Sequence, residues 1–116
     1  MLYIYNMSNV NEDDQVFKAL SNRTRRLLLD ELKNNPLTTG ALCALFPEMD
    51  RCTVMMHLKI LEEADLVIFS REGRERWNHL NALPIKAIYD RWIGEYATHA
   101  VAMLDQLKST LEEKNY

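Results

Sequence analysis

Apolar residues recur at steps of three and four along much of the chain, and the places where that rhythm stops mark its elements. Val16, Phe17 and Leu20 sit at helical spacing within the segment from Glu12 to Leu20. Ser21 offers an N-cap hydroxyl for a second predicted helix, which buries Leu28, Leu29 and Leu32 and runs to about Asn34, ahead of Asn35-Pro36. Thr38 or Thr39 caps a short third helix through Leu45, which Phe46-Pro47-Glu48-Met49 ends. A fourth begins after Asp50 and runs to Glu63, so this stretch reads as helix, short turn, helix.

Leu66-Val67-Ile68-Phe69 and Trp77-Asn78-His79-Leu80 flank a charged tip containing Gly73, which predicts a β-hairpin. In its second strand Trp77 and His79 alternate with Asn78 and Leu80, the pattern of one covered and one wet face. Pro84 belongs in the first turn of the last helix. From there Ile85, Ile88, Tyr89, Trp92, Ile93, Tyr96, Ala97, Ala100, Val101, Leu104, Leu107 and Leu111 form one unbroken stripe that runs through Gly94. About 28 helical residues span roughly 40 Å, more than a small domain covers on one side, so part of the stripe needs a further partner. A second copy of the chain supplies one through a two-fold interface; the alternative is a helix bending back over its own core. The expected organisation is a tail over 1–11, a helical core with a hairpin over 12–81, and a C-terminal dimerisation helix over 82–116.

Composition narrows the class. The chain has 116 residues, 47% of them hydrophobic and 27% charged, which fits one globular domain and argues against disorder. Cys43 and Cys52 do not make a disulfide framework. No apolar run approaches the ~20 residues that span a bilayer, and Met1 to Met7 lacks the basic residue and cleavage site of a secretory signal. A cytoplasmic protein without a membrane partner is expected. The net charge of -3 argues against indiscriminate coating of nucleic acid. The distribution differs from the sum: Lys18, Arg23, Arg25, Arg26 and Lys33 outnumber Asp30 and Glu31, so one surface is open to being positive.

Three segments carry a resemblance. Val16-Phe17-Lys18-Ala19-Leu20-Ser21-Asn22-Arg23-Thr24-Arg25-Arg26-Leu27, His57-Leu58-Lys59-Ile60-Leu61-Glu62-Glu63-Ala64-Asp65-Leu66-Val67 and Arg71-Glu72-Gly73-Arg74 closely resemble, in this order, segments of ArsR-type bacterial transcriptional repressors. The likeness runs from about Glu12 to Asn81. It implies a mainly α protein with a small β-hairpin, a winged helix-turn-helix that dimerises through its first and last helices and places its fourth helix in the major groove of double-stranded DNA. The dimer interface then draws on Val16, Leu20, Ile88, Tyr89, Trp92, Tyr96, Val101 and Leu104.

Turning the fourth helix at 100° per residue puts Val54, Leu58 and Leu61 on the core face and Cys52, Met56, Lys59 and Glu63 opposite, flanked by Arg51 and Met55. Arg51 suits a guanine edge, and Lys59 and Thr53 suit phosphates. His57 falls between the faces, either a DNA contact or a partly buried structural residue. Met55 and Met56 either touch thymine methyl groups or rest against neighbouring protein such as the third helix. At the hairpin tip Arg71, Arg74 and Arg76 are expected to reach a phosphate or the minor groove, with Arg74 the leading candidate and a solvated charge cluster the alternative. Of Arg23, Arg25 and Arg26, at least one is expected to pair with Asp30 or Glu31 or to cap a neighbouring helix.

Other chemistry finds little support. The resemblance implies a Leu-Cys-Val-Cys metal box at the start of the third helix, but this chain reads Leu37-Thr38-Thr39-Gly40 there, and Asp90, Glu95, His99 and Asp105 lack the spacing of a shared site, so no metal or other cofactor is expected. Cys52 is open to a redox role or to being an inert surface thiol. Phosphate-loop, His-Glu-x-x-His and Gly-x-Ser-x-Gly patterns are absent, so no catalytic residues are expected and the chain is not read as an enzyme. The alternative to a DNA-binding regulator is a protein-interaction module on the same frame, and no inducer is identified.

Overall fold

A computed structural model describes residues 2–94 and 97–114, with the side chains of 11–94 and 99–114. The chain divides into two units, residues 1–85 and 86–116. The first holds α1 (Leu2–Leu20), α2 (Arg23–Leu32), β1 (Leu37–Thr38), α3 (Thr39–Leu45), α4 (Arg51–Glu63), β2 (Val67–Glu72) and β3 (Glu75–Leu80). Helix α5 (Leu83–Trp92) begins at its end and continues into the second unit, which also holds α6 (Ala97–Glu113).

Helices α2, α3 and α4 each start where a side chain takes an orphan backbone N–H. Asn22 accepts from the Arg25 amide at 3.1 Å, Thr38 from Ala41 at 3.1 Å, and Asp50 from Thr53 at 2.7 Å. The expected cap at Ser21 is corrected: its hydroxyl donates back to the Lys18 carbonyl at 2.7 Å, closing α1, and the extended Asn22 opens α2 instead. The segment expected as a tail is helical from Leu2, consistent with the absence of Gly and Pro before Leu20. At the end of α4 the amides of Asp65 and Leu66 reach the Glu62 and Leu61 carbonyls, both at 2.9 Å. That is a Schellman closure with Asp65 at φ 59 in the left-handed position glycine normally fills.

The core forms where the apolar stripes of these helices meet. Val16 and Ala19 of α1, Leu28, Leu29 and Leu32 of α2, Leu42 of α3, and Val54, Leu58 and Leu61 of α4 are all buried, and α4 touches α1, α2, α3 and β2. Burying each Leu is worth roughly 1.5–3 kcal/mol, so these stripes fix α4 against the domain and leave its opposite side free.

The sheet is antiparallel in the order β1-β3-β2. β2 and β3 form the expected hairpin, with Phe69 opposite Asn78 and Glu72 opposite Glu75. Gly73 turns it at φ 64, a conformation L side chains rarely adopt. β1 was not expected; two residues carry no periodic signal, and it exists because Leu37 and Thr38 pair with Asn78 and Trp77. The covered face of β3 carries a polar residue, since Asn78 is fully buried.

The single long C-terminal helix is corrected to two. Gly94 takes φ 62 between α5 and α6, which interrupts the helix even though the apolar steps continue across it. Along α6 the residues Val101, Met103, Leu104, Leu107 and Leu111 are all exposed, whereas Ile88 of α5 is buried.

Candidate nucleic-acid interface

Helix α4 presents the side the helical-wheel argument selects. Arg51, Cys52, Met56, Lys59 and Glu63 are exposed, while Thr53 and Met55 are half-buried. The Asp50 carboxylate that caps this helix is held below its ordinary pKa, first by the Thr53 backbone N–H and then by its hydroxyl. The helix start is thereby fixed just where Arg51 projects.

His57 is corrected as a DNA contact. It is 7% exposed, and its Nδ1 lies 3.3 Å from Nη1 of Arg25. A guanidinium has no acceptor, so Nδ1 accepts and the ring proton belongs on Nε2. Burial, and then the Arg25 charge, hold the His57 pKa below the usual histidine value. Arg25 also donates through Nε to the Ala19 carbonyl at 2.7 Å and through Nη2 to Lys18 at 3.1 Å, and Arg26 donates to Leu20 at 2.7 Å. The basic run therefore caps the end of α1, the second of the two roles the sequence left open, and ties α1, α2 and α4 together.

The hairpin arginines divide. Arg71 and Arg74 are exposed at the tip. Arg76, expected to reach DNA, is half-buried and engaged within the domain: Nη2 donates to Oε2 of Glu62 at 3.1 Å, Nε donates to Oδ1 of Asn78 at 3.1 Å, and the guanidinium lies 4.1 Å from the Phe69 ring centroid. Asn78 in turn donates through Nδ2 to the Leu37 carbonyl at 3.2 Å and to Oγ1 of Thr39 at 3.1 Å. A polar chain thus runs from α4 through the wing to the start of α3. Sequence reasoning missed Glu62 and Asn78 as members of the site. Asn78, a polar residue at an inward strand position, was the available signal; nothing one-dimensional marks Glu62.

Two clefts border this surface. One, of about 500 Å³, is lined by Cys52, Met55, Met56, Lys59, Glu62, Glu63 and Arg76. The other, of about 220 Å³, brings Arg51 of α4 and Arg74 of the wing tip to the same opening, together with Glu75, Arg76, Thr38, Thr39 and Gly40. Among the described residues Arg51, Lys59 and Arg74 have no ion-pair partner. Three cations are therefore available to an external anion despite the acidic total.

Of the expected dimer residues, Val16 is 3% and Ile88 9% exposed, so each presents little surface in the single chain. Leu20 is half-buried; Tyr89, Trp92, Val101 and Leu104 are exposed; Tyr96 lies outside the described residues. Among the described residues no group of three His, Cys, Asp or Glu side chains is placed to hold a metal ion, and no helix is long and apolar enough to cross a membrane. Cys43 is half-buried and Cys52 exposed, and both are free thiols.

Helices α2, α3 and α4 packed against a hairpin, with α4 following a short turn and keeping one side exposed, define a winged helix-turn-helix domain. Residues 20–68 match the family model of a helix-turn-helix domain. The chain is 41% identical over 86 residues to an uncharacterized HTH-type transcriptional regulator of Bacillus subtilis, YuzN, covering 69% of this chain and 94% of that one. It is 35% identical over 68 residues to the transcriptional repressor SdpR of the same organism, covering 59% and 74%. Among solved structures, an ArsR-like transcriptional regulator from Rhodococcus sp. RHA1 superposes with a TM-score of 0.66 at 26% identity, covering 86% of this chain and 95% of that one. The chain belongs to the ArsR-type helix-turn-helix transcriptional regulators, which act by binding DNA.

Proposed function

We propose that the protein is a homodimeric repressor that binds an inverted-repeat operator, with α4 of each subunit in the major groove and Arg74 of each wing on the adjacent minor groove or phosphate. The observation that supports this reading is the shared opening lined by Arg51 and Arg74, one suited to a base edge and the other to the backbone or minor groove. Lys59 adds a phosphate contact two turns along α4, and Arg71 adds charge at the tip. Arg76 and His57 serve inside the domain and take no part in the contact.

The dimer rests on α6. Its leucines are exposed along one stripe, and a second copy offers an identical stripe to cover it. A two-fold pair then sets two recognition helices on half-sites about one turn of duplex apart. The regulator works on chromosomal DNA in the cytoplasm and carries out no reaction. Repression follows from occupancy of the operator, a reading supported by the chain's similarity to a transcriptional repressor.

A mobility-shift titration with DNA from upstream of the protein's own gene tests the proposal. The expected result is sequence-selective binding by a dimer that weakens steeply as salt rises. Binding that is blind to sequence at physiological salt, or a stable complex with another protein and no retention on DNA at low salt, contradicts it.

A further inference from the structure

The centre of the exposed side of α4 is made of sulfur, not of hydrogen-bonding groups. Cys52, Met55 and Met56 stand at positions i, i+3 and i+4 and line one open cleft. Met56 is 52% exposed, so it does not pack away against α3. A thioether offers a weak acceptor and a thiol a weak donor, neither of which selects among the donor and acceptor patterns of base edges. Charge of both signs surrounds this centre: Arg51 precedes it and Lys59 follows Met56 by one turn, both exposed and without an ion-pair partner among the described residues, while Glu62, paired with Arg76, and Glu63 line the same cleft at the C-terminal end of α4. The free cations Arg51 and Lys59 on either side of an apolar middle complement a duplex groove whose walls are phosphate and whose floor carries an apolar group. In the major groove that group is the C5 methyl of thymine.

We propose that α4 recognises thymine through its C5 methyl group, with Met56 as the specificity-determining contact and Cys52 beside it. The inference rests on the DNA-binding reading above and deepens it by naming the feature of the operator that is read. Met is suited to the task because its unbranched, polarizable side chain moulds to a methyl group at little cost.

The experiment selects duplexes from a random library with the full chain, then remakes the enriched duplex with deoxyuridine at single thymine positions, which deletes the methyl and leaves base pairing intact. At one position in each half-site the wild-type chain is expected to bind the deoxyuridine duplex about fourfold more weakly, the equivalent of roughly 0.8 kcal/mol for one buried methyl-sized group. Met56→Ala is expected to bind both duplexes alike. Met56→Leu, which keeps an apolar side chain on the same exposed site, is expected to retain the difference. Equal binding of every deoxyuridine duplex by the wild-type chain overturns the inference, as does a thymine preference that survives Met56→Ala. Failure to enrich any duplex overturns the DNA-binding reading itself, an outcome distinct from enrichment without methyl dependence.

Discussion

Arg76 of the wing and Glu62 of α4 form an ion pair at 3.1 Å, with side-chain exposures of 12% and 37%. The pair links the tip-bearing hairpin to the recognition helix, and Asn78 extends the link to β1 and α3. Partial burial makes it more consequential than a surface bridge, because breaking it leaves a partly desolvated guanidinium without its partner. The wing and α4 are therefore expected to meet DNA as one body. In a double-mutant cycle, Arg74→Ala should weaken operator binding clearly in the wild-type background and much less in Glu62→Ala, with a coupling of about 0.5–2 kcal/mol by fluorescence anisotropy. Equal losses in both backgrounds would show that the bridge does not hold the wing in its binding position.

The buried contact of His57 with Arg25 gives the fold a pH dependence. The folded pKa of His57 lies below its ordinary value of 6.5, so the folded state binds fewer protons than the unfolded chain in the interval beneath that value. Its contribution to stability is complete above that value and is lost as pH falls through it, levelling off below the folded pKa. Thermal unfolding followed from pH 7.5 to 5.5 should show a falling midpoint, and His57→Gln should flatten that slope over the same interval.

Asp65 holds a glycine's conformation at φ 59, and its backbone carbonyl accepts from Nδ2 of Asn81 at 2.8 Å. Asp65→Gly keeps that carbonyl and relieves the left-handed penalty on a side-chain-bearing residue. A stabilisation of about 0.5–1 kcal/mol is expected in urea unfolding, with the denaturant slope unchanged.

Leu104 of α6 is 63% exposed in the single chain. Under the dimeric proposal Leu104→Glu places a charge in the shared interface, so sedimentation should report a monomer and affinity for an inverted repeat should drop by more than tenfold. Affinity for a single half-site should change little.

The parts of the fold written in side-chain spacing were legible beforehand. Leu28, Leu29 and Leu32 on α2 and Val54, Leu58 and Leu61 on α4 repeat every three or four residues, and Thr38 and Asp50 are residues that cap helices, so the helix-turn-helix and its outward face follow from the sequence. What stayed hidden depends on contacts between distant positions. Nothing near Arg76 in the chain points to Glu62, and His57 looks ambiguous until Arg25 is seen 3.3 Å away. Gly94 escaped for another reason: hydrophobic periodicity records which positions are apolar and is blind to a single residue that turns the backbone.

Operator binding requires the outward side of α4 and the wing tip to meet DNA. Amide chemical shifts of the labelled full chain, followed as operator duplex is added, test this most directly. The largest changes are expected over Arg51 to Lys59 and at Gly73 and Arg74, with the exposed stripe of α6 unaffected once the dimer has formed. Changes concentrated away from α4, for instance on the exposed side of α2, would contradict it.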